Sequence, residues 1–98
     1  MSYMVKFEFE AKSGKTEALS KFFTRILPGT RQFDGNKDVE ASRSVDDENK
    51  FTIITHWEHA ENLDKYLSWR QETGDFAELL TLLTNPPNIH TFEVLPRL

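Results

Sequence analysis

Apolar and polar residues alternate at the start of the chain. In residues 3–11 every second position is apolar or aromatic: Tyr3, Val5, Phe7, Phe9 and Ala11. The intervening positions carry Lys6, Glu8 and Glu10. A period of two built from aromatic and β-branched residues predicts a strand that is buried on one face. Ser13–Gly14 follows it and indicates a turn.

A helical period follows this strand. Apolar residues recur at spacings of three and four, at Leu19, Phe22, Phe23, Ile26 and Leu27. This pattern predicts a helix with one apolar stripe. Pro28 has no backbone donor and clashes with the preceding turn, so we expect the helix to kink or end near Leu27, with residues 30–33 able to resume it. Gly35 is expected to adopt the left-handed conformation that often ends a helix.

The middle of the chain predicts a β-hairpin. Residues 38–45 and residues 51–58 both alternate between apolar and polar positions. Asp46, Asp47, Glu48 and Asn49 lie between them. Such a polar run is typical of a solvated turn, and we interpret its three carboxylates in that way.

Two further helices and a last strand complete the pattern. Residues 60–70 predict a second helix, and residues 75–83 predict a third with Asp75 as its N-cap. Pro86 and Pro87 are expected to stop that helix. Residues 89–95 alternate again and predict a fourth strand.

The order β-α-β-β-α-α-β predicts an α+β, ferredoxin-like fold with a four-stranded antiparallel sheet and helices on one face. A length of 98 residues favours one domain, residues 1–98. Some strands carry apolar residues on both faces: Ile53 and Ile54, for example, are consecutive and point to opposite faces. Because an exposed apolar sheet face is costly, we expect a second copy of the chain to cover it, which predicts a homodimer.

Composition excludes several classes of function. The net charge is −4, and the basic residues are scattered, so a nucleic-acid partner is not expected. The chain contains no cysteine, which excludes disulfides, thiolate nucleophiles and iron–sulfur ligation. Charged residues near the start argue against a signal peptide, and no segment approaches the roughly 18 apolar residues of a membrane span. We therefore expect a cytoplasmic protein with no membrane partner.

Several segments together resemble a known family. They are FTIITHWE at 51–58, AENL at 60–63, YLSWR at 66–70, the pair Pro86-Pro87 and FEV at 92–94. With these segments the chain resembles the antibiotic biosynthesis monooxygenase family of dimeric α/β-barrel proteins. The resemblance covers nearly the whole chain, but the motifs are loose, so it implies the fold more strongly than the activity.

The resemblance implies a pocket between sheet and helices in each subunit. Family members oxidise polycyclic phenols or quinols with molecular oxygen, without flavin, haem or metal. Other relatives degrade haem or isomerise small phosphorylated sugars. Haem degradation is disfavoured here, because that branch uses an Asn near the first strand and a His ten residues after a Trp. In this chain the tenth residue after Trp69 is Leu79, and residues 3–11 contain no Asn.

Three residues are candidate catalytic groups. Tyr66 occupies a position that is often His in the resembled family, and its hydroxyl is suited to exchange a proton with a phenolic substrate. Arg70 lies one turn further along the same helix and is suited to bind an oxyanion. A surface ion pair of Arg70 with Glu72 or Glu78 is the alternative. His90 is the candidate acid or base and an expected pocket wall, although an Arg found nearby in some oxygenases is missing.

Three aromatic residues are candidate substrate-binding groups: Trp57, Trp69 and Phe23. Trp57 would form a flat wall with its indole N–H directed at a substrate carbonyl, or else be an ordinary core residue. Trp69 lies one turn from Tyr66 and would contact the same ligand.

No metal site is predicted. His56 and His59 are three residues apart, which places them on opposite faces of a strand. The main hypothesis is thus a cofactor-independent monooxygenase, with no cofactor, acting on a phenolic, quinol or anthrone-like aromatic substrate. Two alternatives stay open: an isomerase or lyase for a small polar metabolite, and a non-catalytic dimer that binds a small ligand.

Overall fold

The computed structural model describes residues 2–98. Four strands and three helices follow one another in the predicted order, which confirms the α+β class. The elements are β1 Tyr3–Glu10, α1 Thr16–Gln32, β2 Asn36–Arg43, β3 Lys50–Trp57, α2 Ala60–Glu72, α3 Asp75–Leu82 and β4 Asn88–Glu93.

The four strands form one antiparallel sheet in the order β2-β3-β1-β4, which is the ferredoxin-like arrangement. Phe7 in β1 lies opposite Ile53 in β3 and opposite Ile89 in β4. Directly opposed residues point to the same face of a sheet. This register therefore places Phe7, Ile53 and Ile89 side by side on the helix-facing side of the sheet, where Ile89, in the edge strand, is still 41% exposed.

The helices cover one face of the sheet, and the core lies between the two layers. Val5, Leu19 and Trp57 are fully enclosed there. The predicted stripe of α1 is largely buried, with Phe23 against Phe9 at 4.9 Å and against Phe51 at 5.8 Å between ring centroids. Full burial of each such side chain stabilises the fold by roughly 1.5–3 kcal/mol.

The first helix does not end near Leu27, one of the two outcomes expected at Pro28, because α1 continues through Pro28 to Gln32. A proline in a helix removes the bond that would reach the carbonyl four residues earlier, here Thr24. Both Pro28 and Thr24 lie on the exposed side of α1, where water can bind that carbonyl. The continued helix brings Thr30 onto the inward side, where it is buried.

Three predicted boundaries also differ from the structure. Strand β2 ends at Arg43, because the Ser44 hydroxyl accepts the backbone N–H groups of Asp46 and Asp47 and starts the turn early. Strand β4 ends at Glu93. The N-cap of α3 is Gly74, at φ +82°, and Asp75 is its first helical residue.

Gly35 has the left-handed conformation that its position predicted, with φ +85°. A Cβ atom at this residue would lie 2.2 Å from the side chain of Asn62. Asn62 is buried in the first turn of α2, where its Oδ1 accepts the backbone N–H of His59 at 3.0 Å. Gly35 thus lets the α1–β2 connection pass close to the start of α2.

The second face of the sheet carries no helix. Half-buried apolar residues, Met4 and Ile54, lie there beside charged ones. Phe92 extends the apolar group opposite Met4 and is 42% exposed. This surface, called the open face below, combines apolar and ionic side chains.

Candidate functional site

A cavity of about 60 Å³ lies between the helix-covered face of the sheet and the three helices. Its wall is almost entirely apolar. The apolar lining includes Phe7, Phe9, Phe22, Ile26, Ile53 and Leu79. Such an apolar wall removes the bound part of a ligand from water and strengthens each polar contact made inside.

The polar groups of the cavity gather around one hydroxyl pair. The hydroxyls of Thr30 and Tyr66 are hydrogen-bonded at 2.7 Å. Arg70 donates from Nε to the Tyr66 oxygen at 3.1 Å and from Nη2 to the Thr30 oxygen at 2.9 Å. Tyr66 and Arg70 are four residues apart and therefore share one side of α2, and Thr30 meets them from α1.

Arg70 is buried, with 8% of its surface exposed, and all its polar contacts are inside the protein. Its Nη1 lies 2.9 Å from a carboxylate oxygen of Asp75, and its Nη2 donates to the carbonyl of Ile26 at 2.7 Å. The guanidinium also lies over the ring of Trp69, 4.4 Å from the centroid. A buried charge needs such pairing, because an unpaired one would cost several kcal/mol.

Thr55, on β3, also lines the cavity. The indole N–H of Trp57 donates to its oxygen at 2.7 Å. Both residues are enclosed, at 1% and 0% exposure. Because they are two apart on a strand, their side chains point to the same face and can meet.

Aromatic rings surround Tyr66 and fix its position. The ring centroids of Trp57 and Phe33 lie 5.2 Å and 5.3 Å from that of Tyr66. Trp69 adds a third neighbour at 6.1 Å. Packing on three sides leaves the ring little freedom, so its hydroxyl is held at Thr30.

The structure brings three of the predicted residues to the cavity: Tyr66, Arg70 and Phe23 line its wall. The partner of Arg70 differs from the one weighed from sequence. Arg70 forms its ion pair with Asp75, while Glu78 pairs with Arg25 at 2.6 Å. Arg70 is thus part of the interior and not of the surface.

Two predicted substrate-binding residues do not line the cavity. Trp57 is a core residue that packs against Tyr66. Its indole N–H donates to the Thr55 hydroxyl and is therefore not directed at a substrate. Trp69 packs on Arg70 and lies close to Gly29 of α1. Both tryptophans therefore support the cavity wall without forming it.

The expected position of His90 in the pocket wall is corrected. His90 lies opposite Lys6 on the open face, because its neighbour Ile89 takes the inward position. Its Nε2 is 3.1 Å from a carboxylate oxygen of Glu8, and half of its side chain is exposed. The sheet separates His90 from the cavity.

Sequence reasoning missed Thr30, Thr55 and Asp75 as parts of the site. Thr30 continues the α1 stripe three residues after Leu27, a signal that the assumed break at Pro28 concealed. Thr55 lies between Ile53 and Trp57 in the period-two pattern, so an inward position was readable. Asp75 carried no comparable signal, because its partner is fixed only by the tertiary contact of α2 with α3.

Residues 2–98 contain no group of three or more His, Asp or Glu side chains placed to hold a metal ion. In the same residues, none of the helices combines the length and the apolar character that crossing a bilayer requires.

The family model for antibiotic biosynthesis monooxygenase matches residues 2–73. This segment contains β1 to α2 and therefore includes Thr30, Thr55, Tyr66 and Arg70. No curated protein matches the chain.

Solved structures share the fold over nearly the whole chain. The Rv0793 protein of Mycobacterium tuberculosis has a TM-score of 0.87 at 18% identity, with 99% of this chain and 98% of that chain covered. SnoaB of Streptomyces nogalater, described as a cofactor-independent oxygenase, has a TM-score of 0.84 at 16% identity, with 99% and 96% covered. The NE2512 protein of Nitrosomonas europaea, of unknown function, scores 0.84 at 24% identity, with 98% and 91% covered. Identities this low establish the fold alone.

Proposed function

The chain belongs to the antibiotic biosynthesis monooxygenase family, and we propose that it is a cofactor-independent monooxygenase. Its substrate would be an apolar aromatic compound of the phenol, quinol or anthrone type, and its co-substrate molecular oxygen. The similarity in fold to SnoaB, a cofactor-independent oxygenase, supports the proposal.

The observation that carries the proposal is the apolar cavity with hydroxyl groups backed by a buried cation. An aromatic ring system fits an apolar wall, and its oxygen substituent would bind near the hydroxyls of Tyr66 and Thr30. Arg70 touches both hydroxyl oxygens and is held in place by Asp75. Preorganised donors of this kind stabilise negative charge that develops on a substrate oxygen.

In this reaction the electron-rich, deprotonated substrate would itself reduce oxygen. The protein would bind the ring, stabilise the anionic oxygen and keep water away from the reactive carbon. Tyr66 would orient the substrate oxygen, and Arg70 would balance its charge through the two hydroxyls. Phe23 would pack against the ring.

The alternative of an isomerase or lyase for a small polar metabolite is less well supported. Such a ligand carries several polar groups and needs partners for each of them. The cavity wall is almost entirely apolar and has few polar groups, chiefly hydroxyls.

The size of the cavity implies that its wall moves when a ring system binds. Sites for drug-sized ligands enclose roughly 300–1,000 Å³, whereas this cavity measures about 60 Å³. Helix α3 supplies Phe76 and Leu79 to the wall and follows Gly74, which has a positive φ. We propose that α3 moves outward to admit the substrate.

We also propose that the active form is a homodimer in which the open face of one chain covers that of another. Ile54 and Met4 are only half-buried in one chain, and Phe92 lies exposed beside them. Light scattering should give twice the mass of one chain. Ile54→Asp should give a monomer, whereas Val45→Asp, in the exposed turn, should leave the dimer intact.

Oxygen uptake tests the proposed activity. Metal-free and flavin-free protein is mixed with a panel of anthrones, naphthols and quinols, and uptake is compared with autoxidation. We expect uptake above that background with at least one member of the panel. Tyr66→Phe should lower it, and Thr24→Val, a change on the exposed side of α1, should not. Uptake that is equal in all three proteins would contradict the proposed site.

A further inference from the structure

Polar contacts close the gaps between the three helices above the cavity. Arg70 of α2 contacts both of the other helices: its Nη2 donates to the Ile26 carbonyl of α1 at 2.7 Å, and its Nη1 lies 2.9 Å from a carboxylate oxygen of Asp75 in α3. Arg25 joins α1 to α3 through its ion pair with Glu78 at 2.6 Å. Each pair of helices is therefore linked across the cavity.

Two further sides of the cavity are closed by contacts with the sheet. The backbone N–H of Lys12 donates to the Leu82 carbonyl at 2.9 Å, and that of Thr84 donates to the Glu10 carbonyl at 2.9 Å. These bonds join the C-terminal end of α3 to the end of β1. At the β2 edge of the sheet, α1 packs along the strand, and Phe23 is buried between α1 and the sheet.

The gap between β4 and the helices α2 and α3, called the β4 gap below, has no such closure. Strand β4 is bonded to β1, and within residues 2–98 no hydrogen bond or ion pair joins it to either helix. Of the described residues that line the cavity, Ile89 of β4 alone is exposed. Phe76 of α3 and Pro87, just before β4, line it too and are half-buried. The cavity therefore reaches the surface at the β4 gap.

We propose that the substrate enters the cavity through the β4 gap and that the side chain of Ile89 limits how wide a ring system can pass. The inference rests on the proposed function for the nature of the substrate. An apolar entrance suits a flat aromatic compound, whereas a ligand with several polar groups would lose hydrogen bonds to water while passing Ile89 and Phe76. An outward movement of α3 would widen the same gap.

A single thiol at the β4 gap tests this route. The chain contains no cysteine, so Ile89→Cys introduces one thiol at the gap and none elsewhere. Ala41→Cys is the matched control, because Ala41 lies in the same register row and on the same face of the sheet as Ile89, but exposed at the opposite edge. Both thiols are modified on folded protein, with methyl methanethiosulfonate as the small reagent and N-benzylmaleimide as the bulky one.

The probe is 1-indanone, a flat two-ring ketone. Its association is followed in stopped-flow experiments by the fluorescence of Trp57 and Trp69, which pack against Tyr66 of the cavity wall. The benzyl label on Ile89→Cys should slow association by about tenfold or more, because the probe must pass the labelled residue. The small label should change the rate by less than about twofold, and neither label should have an effect on Ala41→Cys.

The dissociation rate distinguishes an entrance from an ordinary wall contact. Ligand passes an entrance in both directions, so the benzyl label on Ile89→Cys should slow release as well as association and change the affinity much less than either rate. A label that only filled the cavity would weaken binding without slowing release, and that result would overturn the inference.

The width limit is tested by shortening the side chain. Ile89→Ala should speed the association of anthrone, which has three fused rings, more than that of 1-indanone, because the wider compound is the one that Ile89 obstructs. Equal acceleration of the two compounds, or none, would contradict a limit set by Ile89.

The outcomes separate this inference from the proposed function. Equal association rates for labelled and unlabelled Ile89→Cys, or equal slowing in labelled Ala41→Cys, would overturn the inference even if oxygen uptake is normal. Slowing confined to Ile89→Cys, without oxygen uptake on any substrate, would support the entrance and count against the oxygenase. Failure of 1-indanone to bind the wild-type chain would overturn the cavity as a ligand site, and the inference with it.

Discussion

Replacing Arg70 by Met should destabilise the protein strongly, because Arg70 joins all three helices. It bonds to Thr30 and to the carbonyl of Ile26 in α1, to Tyr66 within α2 and to Asp75 in α3. Met retains the apolar part of the side chain. It removes the charged guanidinium, and with it the hydrogen bonds to four partners. The carboxylate of Asp75, only 18% exposed, would lose its nearest cation.

The magnitude follows from the cost of leaving one partner of a buried ion pair alone, about 3–5 kcal/mol. Asp75 keeps the hydroxyl of Thr73 and the more distant Arg25, so the lower end of about 3 kcal/mol applies. In a domain of this size each kcal/mol lowers the melting temperature by about 4–8 °C, which gives a fall of about 12–24 °C.

The assay is thermal and urea unfolding followed by circular dichroism, with Arg25→Met as the matched control. Arg25 also forms an ion pair, with Glu78 at 2.6 Å, but its side chain is 56% exposed. Removing an exposed pair should cost no more than about 1 kcal/mol. Adding Asp75→Asn to Arg70→Met should recover part of the loss, because it removes the unpaired charge. If Arg70→Met costs no more than Arg25→Met, the description of Arg70 as the interior link between the helices is wrong.

Three further changes test the fold and the cavity. Gly35→Ala should lower the free energy of unfolding by about 1–3 kcal/mol in urea titrations, because it combines a positive φ with a contact of 2.2 Å to Asn62; no loss would refute the close approach. Phe76→Ala should enlarge the cavity and raise the affinity for anthrone relative to 1-indanone in calorimetry, since Phe76 lines the wall; equal shifts for both ligands would contradict this. Arg25→Gln should speed the binding of 1-indanone by up to about fivefold in stopped-flow experiments, because it removes the exposed α1–α3 pair with Glu78; an unchanged rate would argue against movement of α3.

Periodicity was sufficient to predict the order of elements and the inward faces of β1 and β3. In β1 and β3 the apolar positions of the alternating pattern are the ones that are buried, among them Val5 and Ile53. The helix does not end at Pro28, because the proline ring and the carbonyl of Thr24 that loses its partner both lie on the exposed side of α1. The apolar stripe of α1 already placed Thr24 and Pro28 on its polar side, so the continued helix was readable from the periodicity.

The candidate site was predictable in part. Tyr66 and Arg70 lie in the cavity wall because their spacing of four residues places them on one side of α2. The face of β4 was not fixed by its sequence, since Ile89 and Phe92 are both apolar and lie on opposite faces. Only the pairing of β4 with β1 directs His90 away from the cavity.

The hydrogen-bonding partners could not be predicted from sequence. An indole N–H is expected to find an acceptor, but the choice of Thr55 over a ligand depends on side-chain rotamers. The pairing of Arg70 with Asp75 depends likewise on the angle between α2 and α3. Both contacts belong to tertiary packing, which periodicity does not report.

Oxygenation of anthrone under ¹⁸O₂ by metal-free and flavin-free protein tests the central claim most directly. Anthrone and one oxygen molecule give anthraquinone and water, so one labelled atom should appear in the product. The account predicts labelled anthraquinone at a rate above autoxidation, and a lower rate with Tyr66→Phe. Formation of the product at the autoxidation rate, or at the same rate in wild-type protein and in Tyr66→Phe, would contradict an oxygenase site in this cavity.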